Sequence, residues 1–287
     1  MRKKYLTKIL LVAFVILSVV AGAGCVGTKQ EGTGDQKNAN QAGEVGNSIT
    51  LVGSDSMQNV VGMLAEAFEA KNPGSKIDVQ AGGSGASFAP VRSGTAQLGL
   101  VSRKLKEKEQ DIKAIEIAKD GIAIVVNNNN PVKSLSKEQI AKIYAGEITN
   151  WKEIGGSDLK ITVIGREAGS GTTGAFEEII MEKFKKEIAP SVLRINQSEA
   201  IRSTVAKSEA AIGYFSLYLA DKTVTALKVD GFDATEENVK NGSYPVSRPF
   251  NYTYKNEPTG LSKAFVDFTL SPEGQAIIKE EGLIIAK

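Results

Sequence analysis

Two short runs of small residues could do chemistry: Gly82-Gly83-Ser84-Gly85, after a strand-like Lys76–Gln80, and Arg166-Glu167-Ala168-Gly169-Ser170-Gly171-Thr172, after a strand-like Ile161–Gly165. In both, small residues let the backbone approach a ligand, and hydroxyls stand beside exposed N–H groups. The stretch that follows each run reads as a helix whose N-terminus favours negative charge. The second run adds a guanidinium, which can fork two donors onto a tetrahedral oxyanion. A lone Gly/Ser-rich turn is most simply a surface loop. Two of them in matching strand-to-helix settings point instead to an anion. Neither run has the lysine of a phosphate-binding P-loop or the Gly-x-Gly-x-x-Gly of a dinucleotide fold, so the chemistry is that of holding an anion.

Such loops need strands to aim them. Short apolar strands alternate with amphipathic helices from Ile49–Val52 onward, starting with Met57–Lys71, whose Val60, Leu64, Ala67 and Phe68 share one face. Strands follow at Ile77–Gln80, Leu98–Ser102 and Gly121–Asn127, the last a continuous apolar run suited to burial on both faces. A second group contains strand Ile161–Gly165, helix Thr172–Lys186, helix Glu199–Lys207 and strand Ala211–Ser216, and the chain ends in helices Leu261–Leu270 and Pro272–Glu281. This is α/β patterning. Open α/β sheets bind ligands at the carboxyl ends of their strands. Gly53-Ser54-Asp55-Ser56, Gly82–Gly85, Ser102-Arg103 and Arg166–Thr172 all occupy such places, so four loops could converge on one cleft.

The N-terminus reads as an export signal: Arg2, Lys3, Lys4 and Lys8 precede the apolar run Ile9 to Val20, then Ala21-Gly22-Ala23-Gly24 and Cys25. The run is short for a membrane span. Cys25 is the only cysteine in 287 residues, so no internal disulfide can form. The segment resembles a lipoprotein signal in which that cysteine is lipidated, although Gly22 stands where a larger aliphatic residue is usual. Anchoring through an uncleaved segment is the alternative, and both tether the protein on the extracytoplasmic face of the membrane. Residues 1–25 are thus the signal segment and 26–48, almost devoid of apolar side chains, a flexible tether. About 240 residues remain, enough for two lobes. With a formal net charge of +2 and no basic cluster beyond the signal, nucleic acid is not expected as a partner.

The ordered set Gly53-Ser54-Asp55-Ser56, Gly82-Gly83-Ser84-Gly85-Ala86, Ser102-Arg103, Asn150-Trp151, Arg166-Glu167 with Gly169-Ser170-Gly171-Thr172, Ala211-Ile212-Gly213-Tyr214, and Tyr244-Pro245 with Arg248-Pro249 resembles the phosphate-binding proteins of the high-affinity phosphate ABC importer. The likeness covers essentially all of Ile49–Lys287. It implies an α/β, two-lobed periplasmic-binding-protein (type II) fold, a ligand cleft between the lobes, and two hinge crossings. The crossings are expected near Asn127 and near Val224–Val229, giving one lobe from 49–126 plus 224–287 and the other from 127–223. The resemblance also implies an ABC permease with its ATPase as partner, a monomer, no cofactor and no catalysis.

In the family, serine and threonine hydroxyls, backbone N–H groups and one arginine hold the phosphate. Carried over, the ligand set is Ser54 and Ser56, then Ser84, then Ser102, then Arg166, Ser170, Gly171 and Thr172; Asp55 and Arg103, in the same loops, are further candidates that the family pattern does not supply. For Ser170, Gly171 and Thr172 the alternative is plain helix capping. Some family members keep an aspartate directly after the serine that is Ser102 here, where it can accept the proton that phosphate carries and sulfate lacks. This chain has Arg103 there. Asp55 is either the substitute acceptor or an N-cap of the helix after it, and Arg103 either touches the anion or pairs with a carboxylate such as Asp55. Thr173 stands where an arginine often follows in the family.

Three other functions compete. A receptor for sulfate, molybdate or arsenate would use the same fold with a differently tuned cleft. An extracellular hydrolase of phosphate esters lacks its usual base and zinc ligand, because the chain has no histidine, and there is no Gly-x-Ser-x-Gly elbow around Ser84 or Ser170. A tethered adhesin or sensor partner would leave the anion loops without a transport role.

Overall fold

The computed structural model describes residues 47–286; the signal, Cys25 and most of the tether lie outside the described residues. The first part of the chain runs β1 (Ser48–Gly53), α1 (Gln58–Lys71), β2 (Lys76–Ala81), α2 (Phe88–Ser93) and β3 (Leu98–Val101), leading into the long strand β4 (Lys113–Val126). Next come β5 (Ser134–Leu135), α3 (Lys137–Tyr144), β6 (Thr162–Arg166), α4 (Gly171–Phe176), β7 (Leu193–Ile195), α5 (Ser198–Ala206) and β8 (Ala211–Ser216). The chain closes through β9 (Thr225–Ala226), β10 (Lys228–Val229), α6 (Glu236–Lys240), β11 (Ser247–Tyr254), α7 (Gly260–Leu270), α8 (Pro272–Glu280) and β12 (Ile284–Ile285).

Ten of these strands form one sheet, in the order β2-β1-β3-β11-β4-β8-β6-β7 with β9 and β12 also pairing with β4, and β5 and β10 form a separate two-stranded sheet. β1 is parallel to β2 and β3, and β6 is parallel to β7 and β8, whereas β11 and β4 run antiparallel to their neighbours in between. The parallel groups at either side carry the anion loops on their carboxyl ends. The antiparallel pair in the middle carries the chain from one group to the other.

Two cores flank that middle. In the first lobe Leu51, Val60, Leu64, Phe68, Leu98, Leu100, Phe250, Tyr252 and Phe265 pack together. α1 contributes Val60, Val61, Leu64, Ala65 and Phe68, one helical stripe, and stops where the Asn72 N–H closes on Phe68 and Glu69 carbonyls ahead of Pro73. In the second lobe Ile122, Ile124 and Val126 face the aromatic group Tyr144, Trp151, Phe176 and Tyr214, and Ala123 and Val125 face Ile164, Ile201 and Phe215 on the other side. The apolar run after Gly121 is buried on both faces, as its composition implies.

β4 is a single strand that pairs with β11 up to Gly121 and with β8 from Ile122 onward. Leu227, Val229, Val239, Tyr244 and Val246 pack into the same core as Ile122, Ile124 and Val126. β11 itself is hard to see in sequence because Pro249 reads as a strand breaker. It is tolerated because at Pro249 the strand pairs only with β4, β3 joining later at Asn251–Thr253.

Candidate functional site

Three serines meet at the ends of the first-lobe strands. The Ser54 N–H bonds the Leu100 carbonyl at 2.8 Å, tying the turn after β1 to β3, and the Ser54 hydroxyl then donates to Ser102 Oγ at 2.7 Å. Ser84 approaches the same point: its Oγ accepts the Ser102 N–H at 3.1 Å and lies 3.4 Å from Ser102 Oγ. Ser84 is delivered there by Gly83, whose φ of +78° belongs to the left-handed region. All three serines are buried.

The second lobe closes on them. Ser56 Oγ and Thr172 Oγ1 share a hydrogen bond of 2.8 Å, and the Gly85 N–H donates to the Gly169 carbonyl at 3.1 Å. A Cβ on Gly171 would stand 2.1 Å from Ser84 Oγ and 2.2 Å from Ser102 Oγ, so only glycine permits this approach. Ser170 caps α4, its Oγ accepting the N–H groups of Thr172 at 3.1 Å and Thr173 at 3.4 Å. That geometry is the capping alternative for Ser170, and it leaves the hydroxyl hydrogen unassigned. Thr173 bonds the Tyr214 hydroxyl at 2.9 Å.

Arg166 ends β6 with its side chain fully buried. Its Nε and Nη2 donate to Glu167, each at 3.1 Å, Nη2 also reaches the Asn196 carbonyl at 2.6 Å, and Nη1 donates to Ser198 Oγ at 3.0 Å. Asp55 crosses from the first lobe to place Oδ2 3.0 Å from Arg166 Nη2. Asp55 therefore forms an interlobe ion pair and is not a helix cap; Ser54 precedes the first turn. Burial pushes the Asp55 carboxyl above its ordinary value, against the pull of Arg166, with Glu199 and Glu167 adding repulsion.

Arg103 has its fork elsewhere. Nη1 and Nη2 grip both Glu109 oxygens at 2.7 and 2.9 Å, Nη1 bonds the Lys104 carbonyl at 2.8 Å, and the guanidinium lies over the Phe88 ring. Its carboxylate partner is Glu109 rather than Asp55. Burial works against the Glu109 charge, yet the bonds from Arg103 and the Lys106 N–H hold its carboxyl below the ordinary value.

The guanidinium that does reach the hydroxyls is Arg248. Its Nη1 donates to Thr172 Oγ1 at 2.8 Å, to Ser102 Oγ at 3.1 Å and to the Ser102 carbonyl at 3.3 Å. Nε and Nη2 hold Asp120 Oδ2 at 3.1 and 2.9 Å, and Ser216 donates to the same oxygen at 2.5 Å. Burial drives the Asp120 carboxyl up and the Arg248 guanidinium down from their ordinary values, and their mutual attraction opposes both. Neither residue is among those expected from sequence. The signals were a charged residue beside the most apolar strand, Asp120 ahead of Gly121–Val126, and the Arg248-Pro249 pair.

The site therefore joins five hydroxyls and one guanidinium from both lobes in a buried cluster, bordered by a second arginine held among acceptors. Comparison with known proteins gives this arrangement relatives. The model of the PBP superfamily domain matches residues 30–273. The chain is 36% identical to the phosphate-binding protein PstS of Bacillus subtilis over 99% of this chain and 95% of that one, and 30% identical to PstS of Pseudomonas aeruginosa over 85% and 84%. Among solved structures, it is similar to a substrate-binding protein ascribed to a phosphate ABC transporter of Clostridium perfringens, with bound phosphate. That structure has a TM-score of 0.80, 46% identity, and coverage of 84% of this chain and 100% of that chain. An ABC-type phosphate transport receptor from Vibrio cholerae follows with a TM-score of 0.73, 34% identity, and coverage of 83% and 100%. The chain belongs to the PBP superfamily and, within it, to the family of PstS phosphate-binding proteins.

Proposed function

We propose that this protein binds inorganic phosphate between its two lobes, outside the membrane, and delivers it to an ABC-type import permease driven by its ATPase. The observation that carries the reading is the meeting of Ser54, Ser56, Ser84 and Ser102 with Thr172 across the lobes, with a buried guanidinium on the same cluster. Hydroxyls and guanidiniums are the donors a tetrahedral oxyanion takes, and each charge-assisted bond contributes about 1.5–3 kcal/mol. Four or five of them reach about micromolar affinity or tighter after ordering costs.

The ligand set consists of Ser54, Ser56, Ser84, Ser102, Ser170, Gly171 and Thr172 with Arg166, and Asp55, paired with Arg166 across the lobes, is the candidate acceptor for the phosphate proton. Arg103 falls outside it, because both ends of its fork are engaged by Glu109. The protein acts as a monomeric receptor rather than an enzyme, tethered by a lipid on Cys25, with an uncleaved N-terminal segment as the alternative anchor. The test is calorimetric titration of the fragment 49–287 with phosphate at pH 7, and with sulfate as competitor. Tight one-to-one phosphate binding that excess sulfate does not displace is expected. Binding of sulfate or molybdate in preference moves the function to another oxyanion.

A further inference from the structure

Arg248 and Asp120 lie opposite each other on β11 and β4, a directly paired position of the antiparallel ladder. These are the two strands on which the chain passes between lobes. Two residues later β4 has changed partner, and Ile122 faces Ser216 on β8. From this position the ion pair touches both lobes: Arg248 bonds Ser102 of the first and Thr172 of the second, and Asp120 accepts from Ser216 of the second. Both side chains are 1% exposed. Enclosing two charges this completely costs several kcal/mol each before their attraction repays it, so the pair is weak evidence of a device for stability alone.

The donor inventory separates the two arginines. Arg166 spends its Nε and Nη2 on Glu167, Asp55 and the Asn196 carbonyl, and its Nη1 on Ser198, none of which is a hydroxyl of the anion cluster. Arg248 spends Nε and Nη2 on Asp120 but aims Nη1 and its two hydrogens at the cluster itself, where they are divided among three oxygens of Ser102 and Thr172. A neutral hydroxyl is a weaker acceptor for those hydrogens than a phosphate oxygen.

On the phosphate reading of this site, we propose that Arg248 is a direct ligand of the anion: its Nη1 turns from the Thr172 and Ser102 hydroxyls, which only accept from it, to a phosphate oxygen, toward which both hydroxyls can direct their own hydrogens. Asp120 is the positioning residue that holds the fork in place. Because the pair sits on the crossing strands, the contact also ties occupancy of the cleft to the strands that must bend for the lobes to part. Arg248 thus supplies the buried cluster with a cation where Arg103, taken up by Glu109, does not.

The experiment is titration of wild type, Arg248→Lys and the charge-balanced double variant D120N/R248M with inorganic phosphate, with thermal melting of each protein as a check on folding. The double variant leaves no buried charge without a partner, and its Asn amide can still meet Ser216. It is expected to bind phosphate about 10–100-fold more weakly than wild type, the equivalent of one charge-assisted bond. R248K keeps the charge but loses the fork and is expected to fall between the two, which decides the matter if the double variant does not fold. Wild-type binding with both variants within about threefold of it overturns the role of Arg248 and leaves the phosphate reading intact. A folded wild-type protein that does not bind phosphate overturns the phosphate reading and this inference with it.

Discussion

Replacing Gly171 with alanine tests whether the closed cluster is the bound form of the cleft. The new Cβ falls 2.1 Å from Ser84 Oγ, 2.2 Å from Ser102 Oγ and 3.1 Å from Ser84 Cβ, all across the lobe boundary. Serine hydroxyls can rotate away, but these are already committed: Ser84 Oγ accepts the Ser102 N–H, and Ser102 Oγ accepts from Ser54 and from Arg248. Rotating both gives up two neutral bonds at about 1 kcal/mol each and one charge-assisted bond at about 2 kcal/mol, so the closed form loses about 4 kcal/mol relative to the open one. That corresponds to roughly a thousandfold weaker phosphate binding. Stability should barely change, since the three atoms nearest the methyl all belong to the first lobe and alanine suits a helix better than glycine. Calorimetry gives the affinity, small-angle scattering with and without phosphate reports closure, and a melting curve reports folding. A G171A protein that still closes and binds within about threefold of wild type would refute the assignment of these hydroxyls to the ligand surface.

Other perturbations separate the charged groups. Arg166→Ala should weaken phosphate binding by well over tenfold, as one forked cation is lost and Asp55 is left without its partner; unchanged affinity removes Arg166 from the site. Asp55 is held with a raised pKa, so its charge disfavours the folded state at neutral pH, and the penalty disappears once the pH drops below the ordinary aspartate range. Asp55→Asn should accordingly melt no lower than wild type at pH 7 and converge with it in acid, while its preference for phosphate over sulfate loosens. A lower melting point at pH 7 with no convergence contradicts the assigned sign. Glu109 has a lowered pKa and contributes stability above the ordinary glutamate range that is lost as the pH falls through its folded value. Glu109→Gln leaves the buried Arg103 unpaired and should cost about 3 kcal/mol, roughly 10 °C in melting temperature, with phosphate affinity unchanged; a large loss of affinity would return Arg103 to the cleft.

Much of the fold is legible in sequence because the helices and edge strands are locally coded. α1, α5, α7 and α8 fall within a residue or so of the apolar stripes and caps that announce them, Ser271-Pro272 opening α8 as such a pair should. The long helix expected over Thr172–Lys186 is instead α4 followed by a wider π turn at Glu177–Met181 and a tight turn at Glu182–Phe184. Hydrophobic spacing does not distinguish a regular helix from one that is rewound to fit a neighbour. The division of β4 between two sets of neighbours is illegible for a different reason. A strand shared by two lobes has no sequence boundary at the point of sharing, and only its partners, β11 before Gly121 and β8 after it, reveal the change. The four loops that meet are legible because glycines and hydroxyl residues cluster directly after the apolar runs of β1, β2, β3 and β6. The middle of the site was not, since Arg248 lies in a strand disguised by Pro249 and Asp120 reads as one more surface charge ahead of an apolar run.

The charge count of the cluster explains why composition gives no hint of an anion site. Two guanidiniums, Arg166 and Arg248, stand with three carboxylates, Asp55, Glu167 and Asp120, so two positive and three negative groups leave a formal charge of minus one before any ligand arrives. Net attraction cannot hold an anion there. What remains is direction: each carboxylate occupies part of an arginine fork, and the donors not so occupied, the hydroxyls and Arg248 Nη1, bond one another in a single buried cluster. A site built this way binds through short directed hydrogen bonds in a low-dielectric interior, where they are stronger than in water, and it repels anions that fail to fit them. It also accounts for the fragility predicted for G171A. With no surplus positive charge to compensate for a loosened fit, an opening wide enough to relieve the contact of 2.1 Å with Ser84 Oγ separates the second-lobe donors from those of the first.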